Sequence, residues 1–217
     1  MSFSIKNIFN KIPIPIQVIF LIYFIGMGIF SFYRALLLLS NLDKTVEYSL
    51  GVLIDTMLVG MRFDTTISCY ILALPLVLFL INYYVVNNNY TINKVVMAFT
   101  FIAYALTFLV TAVDIPFFNY FYDRLSTSVL LWGDNTNFSA SIIFIHWPYL
   151  WPLLAYLFSL VIMHYFFRKI KLKYSNKVQK RSYNDVIYIL GFICVFFFSL
   201  RGKLDFNVPP LDIRDAY

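Results

Sequence analysis

The residues best equipped for chemistry in this sequence are arginines and aspartates placed at the ends of long apolar runs. Gly60-Met61-Arg62-Phe63-Asp64 opens one run. Asp114 closes another and is followed by Asp123-Arg124-Leu125-Ser126-Thr127, and Arg201-Gly202 closes a third. A guanidinium is a planar fork of donors that matches phosphate oxygens. Arg62, Arg124 and Arg201, tempered by Asp64 and Asp114, are therefore candidates for a polar vestibule that holds a lipid phosphate headgroup. The same residue types also serve as interhelical ion pairs and snorkelling anchors that only fix a helix bundle. Both readings stay open at this level. A charge at the bilayer centre costs about 2.5–3.5 kcal/mol on insertion scales, which is why such groups collect at interfaces or in wet pockets.

Other chemistry is sparse. The sequence has no glycine-rich phosphate loop, no Gly-x-Ser-x-Gly elbow and no His/Cys/Asp cluster at metal-ligand spacing. No residue is assigned a catalytic or metal-binding role, and no cofactor is expected in this chain. His146, beside Trp147 and Pro148, and His164 are candidate proton carriers, but neither has an acidic neighbour in sequence, which favours interfacial or packing roles. Cys69 and Cys194 both fall in apolar stretches, where neither a disulfide framework nor a zinc motif is expected.

The elements that must position these groups follow from composition. A chain of 217 residues that is 61% hydrophobic and only 13% charged has too little polar surface for water, so lipid must be its solvent. Aromatic residues make up 20% of it, which suits interfacial anchoring. The Asn87-Asn88-Asn89 run and the many Ile and Lys residues point to an AT-rich codon bias as a contributor.

A spanning helix needs about 20 apolar residues, and five segments approach that length: Ile16–Leu39, Thr65–Tyr84, Val95–Val113, Tyr149–Phe167 and Val186–Leu200. The second has room to begin near Gly51, since only Asp55 interrupts the apolar residues there. The fifth is short and needs help from tilt or bilayer thinning. The predicted fold is all-α: residues 1–200 form a five-helix transmembrane domain with a long extracytoplasmic loop between helices three and four, and residues 201–217 begin a linker. That loop, about 34 residues from Asp114 to Trp147, is too long for a simple turnaround. Phe117, Phe118, Tyr120, Phe121 and Tyr122 suit an interfacial segment within it. Gly26 and Gly28 read as close-packing positions between helices.

Orientation follows the distribution of Lys and Arg. Arg168, Lys169, Lys171, Lys173, Lys177, Lys180 and Arg181 crowd between segments four and five, with no acidic residue before Asp185, which makes that connection cytoplasmic. Alternation then puts the N-terminus inside and the C-terminus outside a bacterial cytoplasmic membrane, with Arg62, Asp64, Asp114, Arg124 and Arg201 on the outer face. The net charge of +6 is concentrated beside a span, so anionic lipid explains it better than nucleic acid, which is not an expected partner.

Three fragments carry a family resemblance. Gly60-Met61-Arg62-Phe63-Asp64 leading into a second span, Asp114 with its aromatic run and Asp123-Arg124-Leu125-Ser126-Thr127, and Arg201-Gly202 with Asp215-Ala216-Tyr217 together resemble the membrane part of the lipoteichoic-acid-synthase-like proteins, phosphoglycerol transferases and sulfatases of the alkaline-phosphatase superfamily. The resemblance implies five spans and an extracytoplasmic α/β catalytic domain after them, with a Thr nucleophile and a divalent metal. That domain is absent from this sequence. The expected role is thus a membrane anchor and scaffold that presents a phospholipid headgroup, with membrane lipids and a covalent downstream domain as partners. The phosphoethanolamine transferase group has a similar layout. A non-enzymatic membrane subunit that docks a partner is the alternative from another class, and a transporter ranks last because the third span carries no ionisable residue in its interior.

Overall fold

The computed structural model describes residues 12–41, 49–86, 88–121, 125, 147–175 and 185–202. These form five helices: α1 (Ile14–Leu39), α2 (Leu50–Tyr84), α3 (Tyr90–Phe121), α4 (Trp147–Ser175) and α5 (Asp185–Arg201). No strand occurs among the described residues. Four helices, α1 to α4, are long and apolar enough to cross a membrane, and α5, at 17 residues, is shorter.

The helices run past the apolar segments that predict them. α2 starts at Leu50, beside the Gly51 start that the sequence allows, and Ser49 caps it by accepting a hydrogen bond from Val52 N–H, a usual role for serine at a helix start. Asp55 does not interrupt it, because a single carboxylate on an exposed helical face costs the backbone nothing. At 35 residues, α2 is about 52 Å long, well beyond the roughly 30 Å of a hydrocarbon core. α3 continues through Pro116 to Phe121, so Asp114 lies inside a helix instead of ending one, and the aromatic run from Phe117 begins as helix. The connection to α4 is shorter than expected by that amount, and apart from Leu125 its residues 122–146 lie outside the described residues.

α1 is the central element, packing against α2, α3 and α4, while α5 packs chiefly on α2. The core is aromatic: Phe30, Tyr33, Tyr104 and Phe108 are all nearly fully buried, and their rings meet at centroid distances of 5.1–6.5 Å, within the range of favourable aromatic contacts. Gly26 makes this possible. A Cβ there would sit 2.6 Å from the Tyr104 ring, so the glycine lets α3 approach α1. Gly28 behaves differently from expectation, since a Cβ there would meet nothing within 4 Å. The outward faces are apolar too, with Phe24, Val77, Leu106, Val161 and Leu190 each more than half exposed. Apolar outside as well as inside is the pattern lipid requires.

Polar side chains gather at the two ends of the bundle. At the basic end, Asn82 closes the turn between α2 and α3: its Nδ2 donates to Asn89 O at 2.9 Å and to Asn93 Oδ1 at 2.8 Å, and its Oδ1 accepts from Asn89 N–H at 2.9 Å. Asn88 turns the chain with φ of 61°, a left-handed conformation that Asn tolerates better than most residues. The asparagines here do structural work that codon bias does not explain. Lys171 lies over the Tyr90 ring at this end, and Tyr84 donates to Asp185 Oδ2 at 3.2 Å. Gly202 lies at the other end, beside Arg62, so successive helices alternate in direction.

Candidate functional site

The end opposite the lysines is organised by α2. Residues 60, 62 and 64 sit on it at spacings of two, and positions two apart point to nearly opposite sides of a helix. Gly60 and Asp64, one turn apart, share a face toward α1. Arg62 points away from them, toward α5.

On the α1 side, Arg34 Nη2 donates to Asp64 Oδ2 at 2.6 Å in an ion pair whose side chains are only 18% and 10% exposed. The guanidinium reaches Asp64 by lying flat across Gly60, where an added Cβ would overlap it outright. Charge neutralisation allows both groups to sit where neither is tolerated alone. Arg34 Nε is buried with no hydrogen-bond partner among the described residues, so the guanidinium keeps an unused donor. Just below the pair, Tyr23 and Thr65 share a hydrogen bond of 3.0 Å, and Tyr33 and Ser159 share one of 2.9 Å that ties α1 to α4.

On the α5 side, Arg62 Nη2 donates to the carbonyl of Gly202 at 2.9 Å, and Thr66 Oγ1 donates to the carbonyl of Ser199 at 3.3 Å. α5 ends in the manner typical of glycine, with Gly202 at φ 68° and its N–H donating to Phe198 O at 3.1 Å. A helix end leaves carbonyls without intrahelical partners, and Arg62 and Thr66 take two of these. Arg201 is half-buried at the same junction.

Among the described residues, Arg62 and Arg201 share the end of α5, and the other sequence-predicted groups have separate partners. Asp64 is joined to Arg34, Arg62 to the end of α5, and Asp114 on α3 accepts from Leu125 N–H at 2.8 Å, holding the chain just after α3. Arg124 lies outside the described residues, as do Asp123, His146 and the residues after Gly202. His164 is exposed on α4 with its ring edge-on to Phe101. Arg34 does not stand out in the sequence, being one charge in a 26-residue apolar helix. The available signal is the charge itself: an arginine inside a span implies a partner, and of the two acidic residues on the adjacent helix, Asp55 and Asp64, the second lies nearer its apolar body.

Among the described residues no three His, Cys, Asp or Glu side chains form a group that would hold a metal. The divalent metal implied by the family resemblance belongs to the downstream catalytic domain and not to this chain's residues. The Arg34 guanidinium is engaged with Asp64 and that of Arg62 with the carbonyl of Gly202, so the contact the described residues make plain is the one that fixes the exit of α5. No family model, curated protein or solved structure matches the chain.

Proposed function

We propose that this chain is the membrane-embedded anchor and scaffold of a lipoteichoic-acid-synthase-like phosphoglycerol transferase or sulfatase-type protein. In this reading five helices cross a bacterial cytoplasmic membrane, the lysine-rich end faces the cytoplasm, and the arginine-rich end presents a glycerophospholipid headgroup to a catalytic domain that continues from Gly202. One observation carries it: two of the motif fragments, 140 residues apart, meet at one corner through the Arg62–Gly202 hydrogen bond. Each marked residue of Gly60-Met61-Arg62-Phe63-Asp64 has a task there. Gly60 and Asp64 seat the Arg34 guanidinium, and Arg62 fixes the point where the chain leaves α5.

The short fifth helix is compatible with a fifth crossing. Its Asp185 meets Tyr84 and its Ser199 carbonyl meets Thr66, so it runs beside the stretch of α2 from residue 84 to residue 66. That stretch is about 27 Å long at 1.5 Å per residue, close to a hydrocarbon core, and mismatch of a few ångströms is absorbed by tilt or thinning.

Two measurements test the proposal. An antibody raised against this chain should detect a native product far heavier than 25.5 kDa, and a native product of that mass alone argues against a covalent catalytic domain. In that full-length protein, Arg62→Ala or Arg124→Ala should lower phosphoglycerol transfer from phosphatidylglycerol vesicles by at least about ten-fold at unchanged expression. Lys171→Ala should do neither, and three variants that behave alike would reduce the arginines to architecture.

A second reading has its own observation. Leu50, Ile54, Leu58 and Met61 form an exposed apolar row on the first turns of α2, from 43% to 78% exposed, at the end of a helix longer than the bilayer. Such a row suits a docked partner protein, and a separately encoded protein that copurifies with the chain and is lost on Leu58→Glu would favour a non-enzymatic subunit.

A further inference from the structure

A groove of about 570 Å³ runs between α1 and α4 on the lipid-facing side of the bundle. It is closed at one end by Phe32 and Phe158, whose ring centroids are 6.4 Å apart. It ends at the other on Lys169 and Lys173, and no acidic residue lines it. From Phe158 to Lys173 is about 22 Å along α4, more than the roughly 15 Å depth of one leaflet's hydrocarbon. Gly28 opens the middle of the groove: a Cβ there meets nothing within 4 Å, so its missing side chain is not required by helix packing.

We infer that this groove seats one acyl chain of an anionic glycerophospholipid whose phosphate is held by Lys169 and Lys173. The lysine end of the groove lies opposite the arginines, and the inference does not depend on the proposed function. Lipid tails are as apolar as the groove walls, so filling it with hydrocarbon gives little preference for one lipid over another. Selectivity comes from the two ammonium groups. A basic residue beside an anionic headgroup contributes about 1 kcal/mol, or about five-fold in affinity, at low ionic strength. The Lys169 ammonium already rests on the exposed Tyr165 ring, 4.4 Å from its centroid, at the height where headgroups lie. Lys171 serves as an internal comparison, because it sits over Tyr90 and does not line this groove.

The test is electron paramagnetic resonance of the purified full chain in phosphatidylcholine bilayers containing chain-labelled phosphatidylglycerol or chain-labelled phosphatidylcholine. The expected result is a motionally restricted component that favours phosphatidylglycerol. Lys169→Gln and Lys173→Gln should each reduce that preference about five-fold, high salt should reduce it as well, and Lys171→Gln should leave it unchanged. Gly28→Phe should abolish the restricted phosphatidylglycerol component while, in a Cys194→Ser background, buried Cys69 stays protected from a thiol probe, which shows that the bundle is intact. Equal restriction of the two labelled lipids by the unmodified chain would overturn the inference. So would an equal effect of Lys171→Gln, which would mean diffuse surface attraction, or a preference that survives Gly28→Phe. Should that variant expose Cys69, Gly28→Leu takes its place with the same two outcomes.

Discussion

Gly60 offers a sharp test because two physical effects push its substitution in opposite directions. Gly60→Ala removes a flexible residue from the interior of a helix, which by propensity alone stabilises by about 1 kcal/mol. The structure predicts the opposite sign. A Cβ at position 60 overlaps Arg34 Nη1 and Cζ and falls 2.5 Å from Nη2, so the guanidinium must leave and the 2.6 Å bond to Asp64 goes with it. Breaking a buried pair costs about 3–5 kcal/mol because a charge is left uncompensated. Arg34 is 18% exposed and recovers part of this by snorkelling toward the interface, so the lower end of that range applies. The net expectation is a loss of about 2 kcal/mol, or about 4–8 °C in midpoint for a chain of this size.

Cys69 provides the assay. It is buried in the bundle and Cys194 is exposed, so in a Cys194→Ser background the reaction of a fluorescent maleimide during heating reports opening of the core. The decisive comparison is an Arg34→Met, Asp64→Leu background, where no guanidinium lies over Gly60 and apolar replacement of the pair is itself close to neutral. There Gly60→Ala should stabilise by the propensity gain of about 1 kcal/mol. A substitution that acts with the same sign in both backgrounds refutes the reasoning, as does a Gly60→Ala single variant at least as stable as the parent.

Three further outcomes are expected. Arg62→Ala removes an exposed charged hydrogen bond to Gly202 O worth about 1 kcal/mol or less in water, and amide exchange in the last turn of α5 should accelerate modestly while that of α1 stays unchanged. Asn82→Leu deletes three hydrogen bonds at the α2–α3 turn and leaves Asn89 N–H unsatisfied, for a loss of about 2–4 kcal/mol read as a lower midpoint in the Cys69 assay. Reporters fused after Lys173 and after Gly202 should lie on opposite sides of the membrane, the second of them extracytoplasmic; both in one compartment would remove the five-crossing topology.

The apolar bodies of α1 to α4 are legible in the sequence because lipid imposes a length and a hydropathy that local composition reveals. Their ends are less legible, since hydropathy marks where lipid stops and the backbone has no reason to stop there: α3 gains the residues to Phe121 and α4 those to Ser175, whereas the early start of α2 is within reach near Gly51. Arg62, Asp64 and Asp114 stand out as charges beside apolar runs, yet their partners do not. Asp64 pairs with Arg34 across 30 residues, and Arg62 meets a backbone carbonyl, a group every residue has and no sequence advertises. The two glycines of α1 look alike in sequence and differ in space, Gly26 against Tyr104 and Gly28 against an open groove, because what a missing side chain is for depends on the neighbouring helix.

The Arg34–Asp64 pair also constrains how the protein is made. The ribosome delivers the cation 30 residues ahead of its anion, so a first helix released by itself would hold an unneutralised guanidinium near its outer end, at a cost below the roughly 2.5–3.5 kcal/mol of a charge at the bilayer centre because the side chain can snorkel. Leaving the translocon together with α2, as a hairpin that already holds the Arg34–Asp64 pair, would avoid even that penalty.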